Sequence, residues 1–422
     1  MSLDVVLGLQ WGDEGKGKIV DVLAEAYPVI ARFQGGPNAG HSIHFGNTKF
    51  VLHSVPAGVF RKGTVNIIGN GVVLDPVIFK KECTDIEKLG IPVRERLKIA
   101  RRTQLIVPTH RMLDAANEAA LGKAKIGSTL KGIGPAYSDK TARNGLRVGD
   151  LLCDDFTAKF NALKARHQSI LGQYGEVPDT SEAEKEWMQA AEYLKEFEIV
   201  DGEYVVNGYL DSNKKILAEG AQGSMLDIDF GSYPFVTSSS TACAGACTGL
   251  GVAPRRIGKV IGIFKAYCTR VGSGPFPTEL NDATGEELRQ KGYEFGATTG
   301  RPRRTGWLDL VALKYAIMIS GVSELIMMKA DVLDGFDTIK VATSYVVDGT
   351  PTDHVPFDVN AHVEPVYKEF KGWKRDISNC RAEEELPYEF MMYVKFIEEF
   401  TGVPVKVFSL GPDRDQTIIR EA

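Results

Sequence analysis

Leu3-Asp4-Val5-Val6-Leu7-Gly8-Leu9-Gln10-Trp11-Gly12-Asp13-Glu14-Gly15-Lys16-Gly17-Lys18-Ile19-Val20 is the stretch whose reading decides the fold. Asp4–Leu9 is an apolar, β-branched run of strand length, and Lys16–Ala26 follows with a helical pattern. Between them, Gly12, Gly17 and Lys18 keep the phosphate-loop spacing of glycine, four residues, glycine, lysine. Backbone amides without side chains can close around phosphate oxygens at a helix N-terminus, where the dipole also favours anions. A lysine then adds positive charge at the terminal phosphates. Ile19 stands where a Ser or Thr hydroxyl normally ligates magnesium. Either no metal binds there or another oxygen serves, and Asp13 inside the loop is the candidate.

Outward from this unit, apolar runs alternate with helical patterns. Strands are expected at Val29–Phe33, Val65–Gly69, Leu97–Ala100, Lys215–Glu219, Val260–Tyr267, Glu324–Lys329 and Val403–Ser409, and helices at Thr109–Leu121, Gly306–Ser320 and Leu386–Thr401. That alternation predicts an α/β fold: a large, mostly parallel central sheet flanked by helices, of phosphate-loop NTPase type. Asp154–Lys195 is charged, glycine-poor and helical, so residues 100–200 read as a mainly helical insertion. Thr338–Val347 before Asp348-Gly349 predicts a small antiparallel excursion. No Pro/Ser/Gly-rich linker divides the chain, which therefore reads as a single elaborated α/β domain over 1–422, its 260–422 part carrying two further ligand loops.

Those loops are chemically specific. Gln34–His41 is a glycine-rich turn ending on a histidine. Gly296–Arg304 places Arg301, Arg303 and Arg304 on a glycine-flanked loop, and arginine suits bidentate binding of carboxylates and phosphates. Lys329-Ala330-Asp331 ends a strand, where a carboxylate can accept both guanine donors while the lysine stem covers the ring. Softer polar turns lie at Gly127–Thr129, Gly132–Pro135, Lys140–Arg143, Gly220–Gly223 and Val236–Ser239.

Composition excludes several classes. The net charge of −5 and the absence of a long basic run argue against a nucleic-acid surface. No window approaches the ~18 uninterrupted apolar residues of a membrane span. Six cysteines in 422 residues form no disulfide framework, and Cys243 and Cys247 lack the second pair of a zinc site. A reducing, cytoplasmic setting is expected. Glycine is the outlier: 44 of 422 residues, against the usual ~7%.

Gly12–Lys18, Asn38–His41, Gly132–Tyr137, Gly220–Gly223, Gly296–Trp307, Lys329–Gly335 and Gly411–Arg414 together resemble the adenylosuccinate synthetase family, in the family's order and spacing from residue 3 to about 420. The resemblance implies a GTP-dependent ligase that makes adenylosuccinate from IMP and L-aspartate through 6-phosphoryl-IMP, the first committed step towards AMP. It implies that Asp13 is the base at N1 of IMP and His41 the general acid, with Gln222 also catalytic. GTP would meet Gly12, Glu14, Gly15, Lys16, Gly17, Lys18, Gly40, His41, Ser42, Arg303, Lys329, Asp331, Ser409 and Gly411. IMP would meet Asp13, Lys16, Asn38, His41, Thr129, Gln222, Thr237 and Arg301, with Arg143 reaching in from the second subunit of a homodimer. Aspartate would meet Ala297, Thr298, Thr299, Arg301 and Arg303, and one Mg2+ would bind Asp13 and the Gly40 carbonyl. Leu130, Ala330 and Leu410 depart from common family choices, around the sites more than at reacting groups.

Two other classes compete. A GTP-binding switch would need the nucleotide loops but has no use for the arginine loop or His41. A dinucleotide oxidoreductase would need Gly-x-Gly-x-x-Gly and an acidic ribose partner, and the first loop carries two lysines instead.

Overall fold

Alternation along the strands shows why the sheet is buried on both faces. Val5 and Leu7 enter one core with Ala31, Ala218 and Phe264, while Val6 enters the other with Ile30, Leu217 and Ile263. A strand apolar on both faces can be covered only by helices on both sides, the arrangement of parallel sheets. A computed structural model gives that arrangement and describes residues 2–45, 48–122, 125–296 and 300–420.

The central sheet has ten strands in the order Thr417–Ile419, Val405–Ser409, Glu324–Met328, Ile257–Lys265, Leu3–Gly8, Ile216–Glu219, Val29–Arg32, Val65–Ile68, Leu97–Ala100 and Glu198–Val200. All neighbours pair in parallel except the edge strand Thr417–Ile419. Leu3–Gly8 lies at the middle, Val5 opposite Ala218 on one side and Val260 on the other. It is a topological switch point, and the carboxyl ends flanking such a point form the ligand crevice of open α/β sheets.

The expected helical insertion is two helices, Phe156–Leu171 and Ser181–Leu194. They close over the far end of the sheet: buried Trp187 meets Phe160 at 5.2 Å, and its indole N–H donates to the Ile106 carbonyl at 2.7 Å. Three expectations shift. The strand Glu198–Val200 is additional. The helix expected from Gly306 starts at Leu310, because Asp309 caps it by accepting from the Ala312 N–H, and Arg304–Gly306 and Leu308–Asp309 are strands. Thr338–Val347 pairs with Val363–Lys371 as well as Thr350–Thr352.

Candidate active site

Loops at the carboxyl rim of the sheet surround a cavity of about 1490 Å³. A site for one small molecule typically occupies about 300–1,000 Å³, so this one has room for more than one ligand. Its wall takes in the 12–18 loop, Asn38–Ser42, Gly127–Thr129, Gln222, Thr237, Arg303, Lys329, Asp331, Ser409 and Gly411.

The 12–18 loop is tight because Gly12, Asp13 and Gly15 all adopt positive φ, 87°, 58° and 95°. Gly15 thereby ends the turn and starts the helix Lys16–Leu23. Fully buried Glu14 closes the loop from beneath: Oε1 accepts the Gln10 and Gly12 N–H groups at 3.1 and 2.9 Å, and Oε2 meets Lys16 Nζ at 2.5 Å. Lys18 points elsewhere. Its ammonium donates to Ser409 Oγ at 2.7 Å and the Gly411 carbonyl at 2.8 Å, pinning the 409–416 loop to the phosphate loop. Burial, foremost, lowers the Lys18 amine to about 8.

Gly17 is required by close approach. A Cβ there would lie 2.8 Å from the His41 Cβ and 3.1 Å from its carbonyl carbon. His41 is buried against this first helical turn, and its Nδ1 meets Glu219 Oε1 at 2.5 Å. Glu219 Oε2 accepts the Ala57 N–H at 2.8 Å. Burial drives the imidazole below its usual range, against Glu219, which favours the cation. Burial also pushes Glu219 upward, but the hydrogen bond and charge of His41 outweigh it and hold the carboxyl low. With Nδ1 committed to Glu219, Nε2 is the ring nitrogen left to the cavity wall.

Several buried polar atoms of the wall have no hydrogen-bond partner among the described residues: His41 Nε2, Gln222 Oε1, Asp331 Oδ1 and Trp11 Nε1. A buried polar group left unpaired costs about 1–3 kcal/mol. Four on one surface mark where ligand atoms belong. Gln222, at φ 59°, donates its amide to Asn38 Oδ1 at 3.2 Å, so two residues expected at IMP meet. Asp331 sits two residues beyond Lys329, and burial, foremost, raises its carboxyl. An acceptor in that position suits paired N–H donors.

On the opposite wall, Arg303 Nε lies 2.8 Å from Asp13 Oδ2, and its Nη1 donates to Glu294 Oε2 at 2.6 Å. Lys329 Nζ donates to the Gly292 carbonyl and to Glu294 Oε1. Arg304 is bound to Glu279 and to the Gly272 and Gly274 carbonyls, so it fastens the loop root. Arg301 and Arg143 are exposed and lie off the cavity wall, Arg143 at the C-cap of Ile133–Ala142. Thr129 is exposed at the rim. Ala297, Thr298 and Thr299 fall outside the described residues.

Sequence reading missed Glu219, Glu294, Trp11 and Arg270. Arg270 is buried on the wall with its guanidinium donating to Ser232 and to the Phe235, Ser273 and Pro275 carbonyls, which shapes the turn before Thr237. The available signal for Glu219 was a carboxylate closing the apolar run Ile216-Leu217-Ala218.

For a metal, the donor set Asp13 carboxylate and Gly40 carbonyl fits Mg2+: both are hard oxygens on one wall, and Mg2+ takes few protein ligands beside phosphates and water. A second group, His110, Asp139 and His167, is satisfied without an ion. His110 Nδ1 accepts the Val107 N–H at 2.9 Å, so its proton sits on Nε2 and is donated to Asp139 at 2.8 Å. His167 Nε2 meets the same oxygen at 2.7 Å.

A phosphate loop at the switch point of a parallel sheet, sharing its cavity with a buried carboxylate and an arginine loop, is the arrangement of a nucleotide-dependent phosphoryl-transfer enzyme. A family model described as adenylosuccinate synthetase matches residues 5–418. The adenylosuccinate synthetases of Bacteroides thetaiotaomicron and Parabacteroides distasonis are 61% and 59% identical over 420 residues, covering 100% of this chain and 99% of each relative. The fully ligated adenylosuccinate synthetase of Plasmodium falciparum superimposes with a TM-score of 0.94 at 38% identity, covering 100% of both chains. The chain belongs to the adenylosuccinate synthetase family. It is a ligase that joins IMP and L-aspartate with GTP in AMP synthesis.

Proposed function

We propose that the reaction runs in two steps within the one cavity, through 6-phosphoryl-IMP. The 6-oxygen of IMP is a poor leaving group, so an amine cannot displace it directly. Asp13 takes the N1 proton, and the electron pair moves to O6, which attacks the γ-phosphorus of GTP; the Pγ–O bond to the β-phosphate breaks and GDP leaves. The aspartate amine then adds at C6, loses a proton, and expels O6 with its phosphoryl group as phosphate. A placed base and acid contribute on the order of 10²–10⁴ each. His41 Nε2 holds a proton towards the moving phosphoryl group, and Lys16 and the loop amides oppose its charge. Asp13 and the Gly40 carbonyl would hold Mg2+, which would supply positive charge to the phosphates.

The observation that carries this reading is His41: buried, backed by Glu219, packed on Gly17, with Nε2 left for a ligand. Asp331 Oδ1 supports guanine as the base read, with Lys329, Ser409 and Gly411 beside it. Asn38, Thr129, Gln222, Thr237 and Arg301 hold IMP, and the loop Ala297–Arg303 closes on aspartate. Arg143, exposed at a helix end, serves the partner's cavity in a homodimer. The chain acts as one α/β unit in the cytoplasm; among the described residues no helix is long and apolar enough to cross a membrane.

The test is oxygen scrambling. With GTP labelled at the β,γ-bridge, IMP and Mg2+ but no aspartate, label moves from bridge to β-nonbridge positions, and adding aspartate yields adenylosuccinate by absorbance. Scrambling without IMP, or product without scrambling, overturns the two-step order. GTP hydrolysis with no adenylosuccinate would instead fit a switch.

A further inference from the structure

Glu294 is fully buried and is not part of the cavity wall, yet four donors from three segments converge on it. Lys265 Nζ (3.2 Å), the Tyr267 hydroxyl and Lys329 Nζ (2.8 Å) meet Oε1, and Arg303 Nη1 (2.6 Å) meets Oε2. Two of the four are anchors. Lys265 closes the central strand Ile257–Lys265, and its backbone exchanges hydrogen bonds with the Gln10 side chain, whose amide also reaches the Tyr267 carbonyl. The Gln10 N–H in turn donates to Glu14 under the phosphate loop. The carboxylate is therefore fixed to the sheet and, through Gln10, to the loop that holds phosphates.

The other two donors are working groups. Arg303 is gripped at Nη1 while Nε faces Asp13 at 2.8 Å in the cavity. Lys329, at φ 57°, is tied at its ammonium to Glu294 and the Gly292 carbonyl, which sets the turn that presents Asp331. Three cations share Glu294; Asp13, across Arg303, and Asp331, acting on Lys329, bring further carboxylates. Without Glu294 the buried Lys265 and its neighbours would repel one another, and neither Lys329 nor Arg303 would keep its aim.

We infer that Glu294 is a positioning residue that sets the guanine-reading turn and the aspartate-loop arginine as one unit. The inference rests on the roles proposed above for Lys329 and Arg303. It assigns a single carboxylate, touching no substrate, to the binding of two different ones.

The experiment compares Glu294→Gln with Arg303→Leu and Lys329→Gln, measuring KM for each substrate with the other two saturating, kcat, and Tm. Losing a hydrogen bond to a charged group corresponds to about ten-fold or more in affinity. Glu294→Gln is expected to raise KM for GTP and for aspartate together by about ten-fold or more, with KM for IMP within about three-fold. Because the variant leaves surplus buried charge, Glu294→Gln/Lys265→Met is made in parallel to remove one cation. The double variant is expected to regain Tm but keep both raised KM values, and Glu294→Asp to recover them in part. A double variant that regains wild-type KM for both substrates would reduce Glu294 to a structural staple and overturn the inference. So would a rise confined to one substrate. If Arg303→Leu and Lys329→Gln leave the KM values for aspartate and GTP unchanged, the proposed site roles fail instead.

Discussion

Glu219→Gln tests the acid at its least visible partner. The amide oxygen can still accept the Ala57 N–H, but its NH2 can meet His41 Nδ1 only while that nitrogen carries no proton. What changes is charge. In the native pair the carboxylate favours imidazolium, opposing the burial that drives His41 down. A hydrogen bond to a charged group is worth about 1.5–3 kcal/mol. Its loss therefore moves the His41 titration lower. The sign follows from the acid's role. Catalysis needs the protonated ring, so kcat falls as pH rises through the His41 pKa, and the variant carries that fall at lower pH. Near neutrality kcat should drop about ten- to a hundred-fold and recover on acidification, with KM for IMP and GTP within about three-fold. The assay is adenylosuccinate absorbance at saturating substrates across pH, with thermal melts confirming the fold. A falling limb that stays put, or a loss that is the same at every pH, would refute the acid–carboxylate pair.

Asp13→Asn should lower kcat by 10² or more while leaving Tm nearly unchanged, since Arg303 keeps Glu294; turnover above a few per cent removes Asp13 as the base. Asp331→Asn should raise KM for GTP about ten-fold or more and narrow its advantage over other nucleoside triphosphates, because an amide cannot accept two guanine donors. Unchanged base preference would place the reader elsewhere. Gly17→Ala puts a methyl 2.8 Å from the His41 Cβ. Overpacking of this kind costs about 1–3 kcal/mol. Melting should shift down and kcat fall through a displaced His41, and a variant equal to the parent in both would mean that the helix turn yields without moving the histidine.

The fold was legible where one segment carries its own signal. Leu3–Gly8 and the helix from Lys16 announce themselves because strand, left-handed turn and helix are contiguous. Val363–Lys371 did not, since it is half solvent-exposed, with polar residues alternating along it and a proline inside, so little apolar periodicity remains. Site residues divide in the same way. Asp13 and His41 sit in glycine-marked turns and Lys329 closes an apolar strand, whereas Glu219 and Glu294 acquire meaning from partners up to 178 and 35 residues away. Lys18 is the instructive case. Its motif position suggests phosphate, but the parallel pairing of Val405–Ser409 beside Glu324–Met328 brings a loop 391 residues distant within reach of its ammonium.

A chain of net charge −5 that gathers three anionic substrates needs its positive charge placed, not abundant. The three arginines of the 296–304 loop divide that task unevenly. Arg304 is neutralised by Glu279 and fastens the loop, Arg301 stays exposed, and Arg303 alone is shared between Asp13 and buried Glu294. Around Glu294, three cations meet Glu294, Asp13 and, at Lys329, Asp331, so the positive charge beside the cavity is held by carboxylates that a ligand can replace. In water such charges fade within the ~8 Å Debye length, but buried groups are screened far less. Arg303 can then serve an incoming carboxylate without stranding Glu294, because Lys265 and Lys329 remain on it. Releasing Asp13 from Arg303 also frees the oxygen proposed above to accept the N1 proton. On that proposal, substrate binding and readiness of the base are linked through one guanidinium.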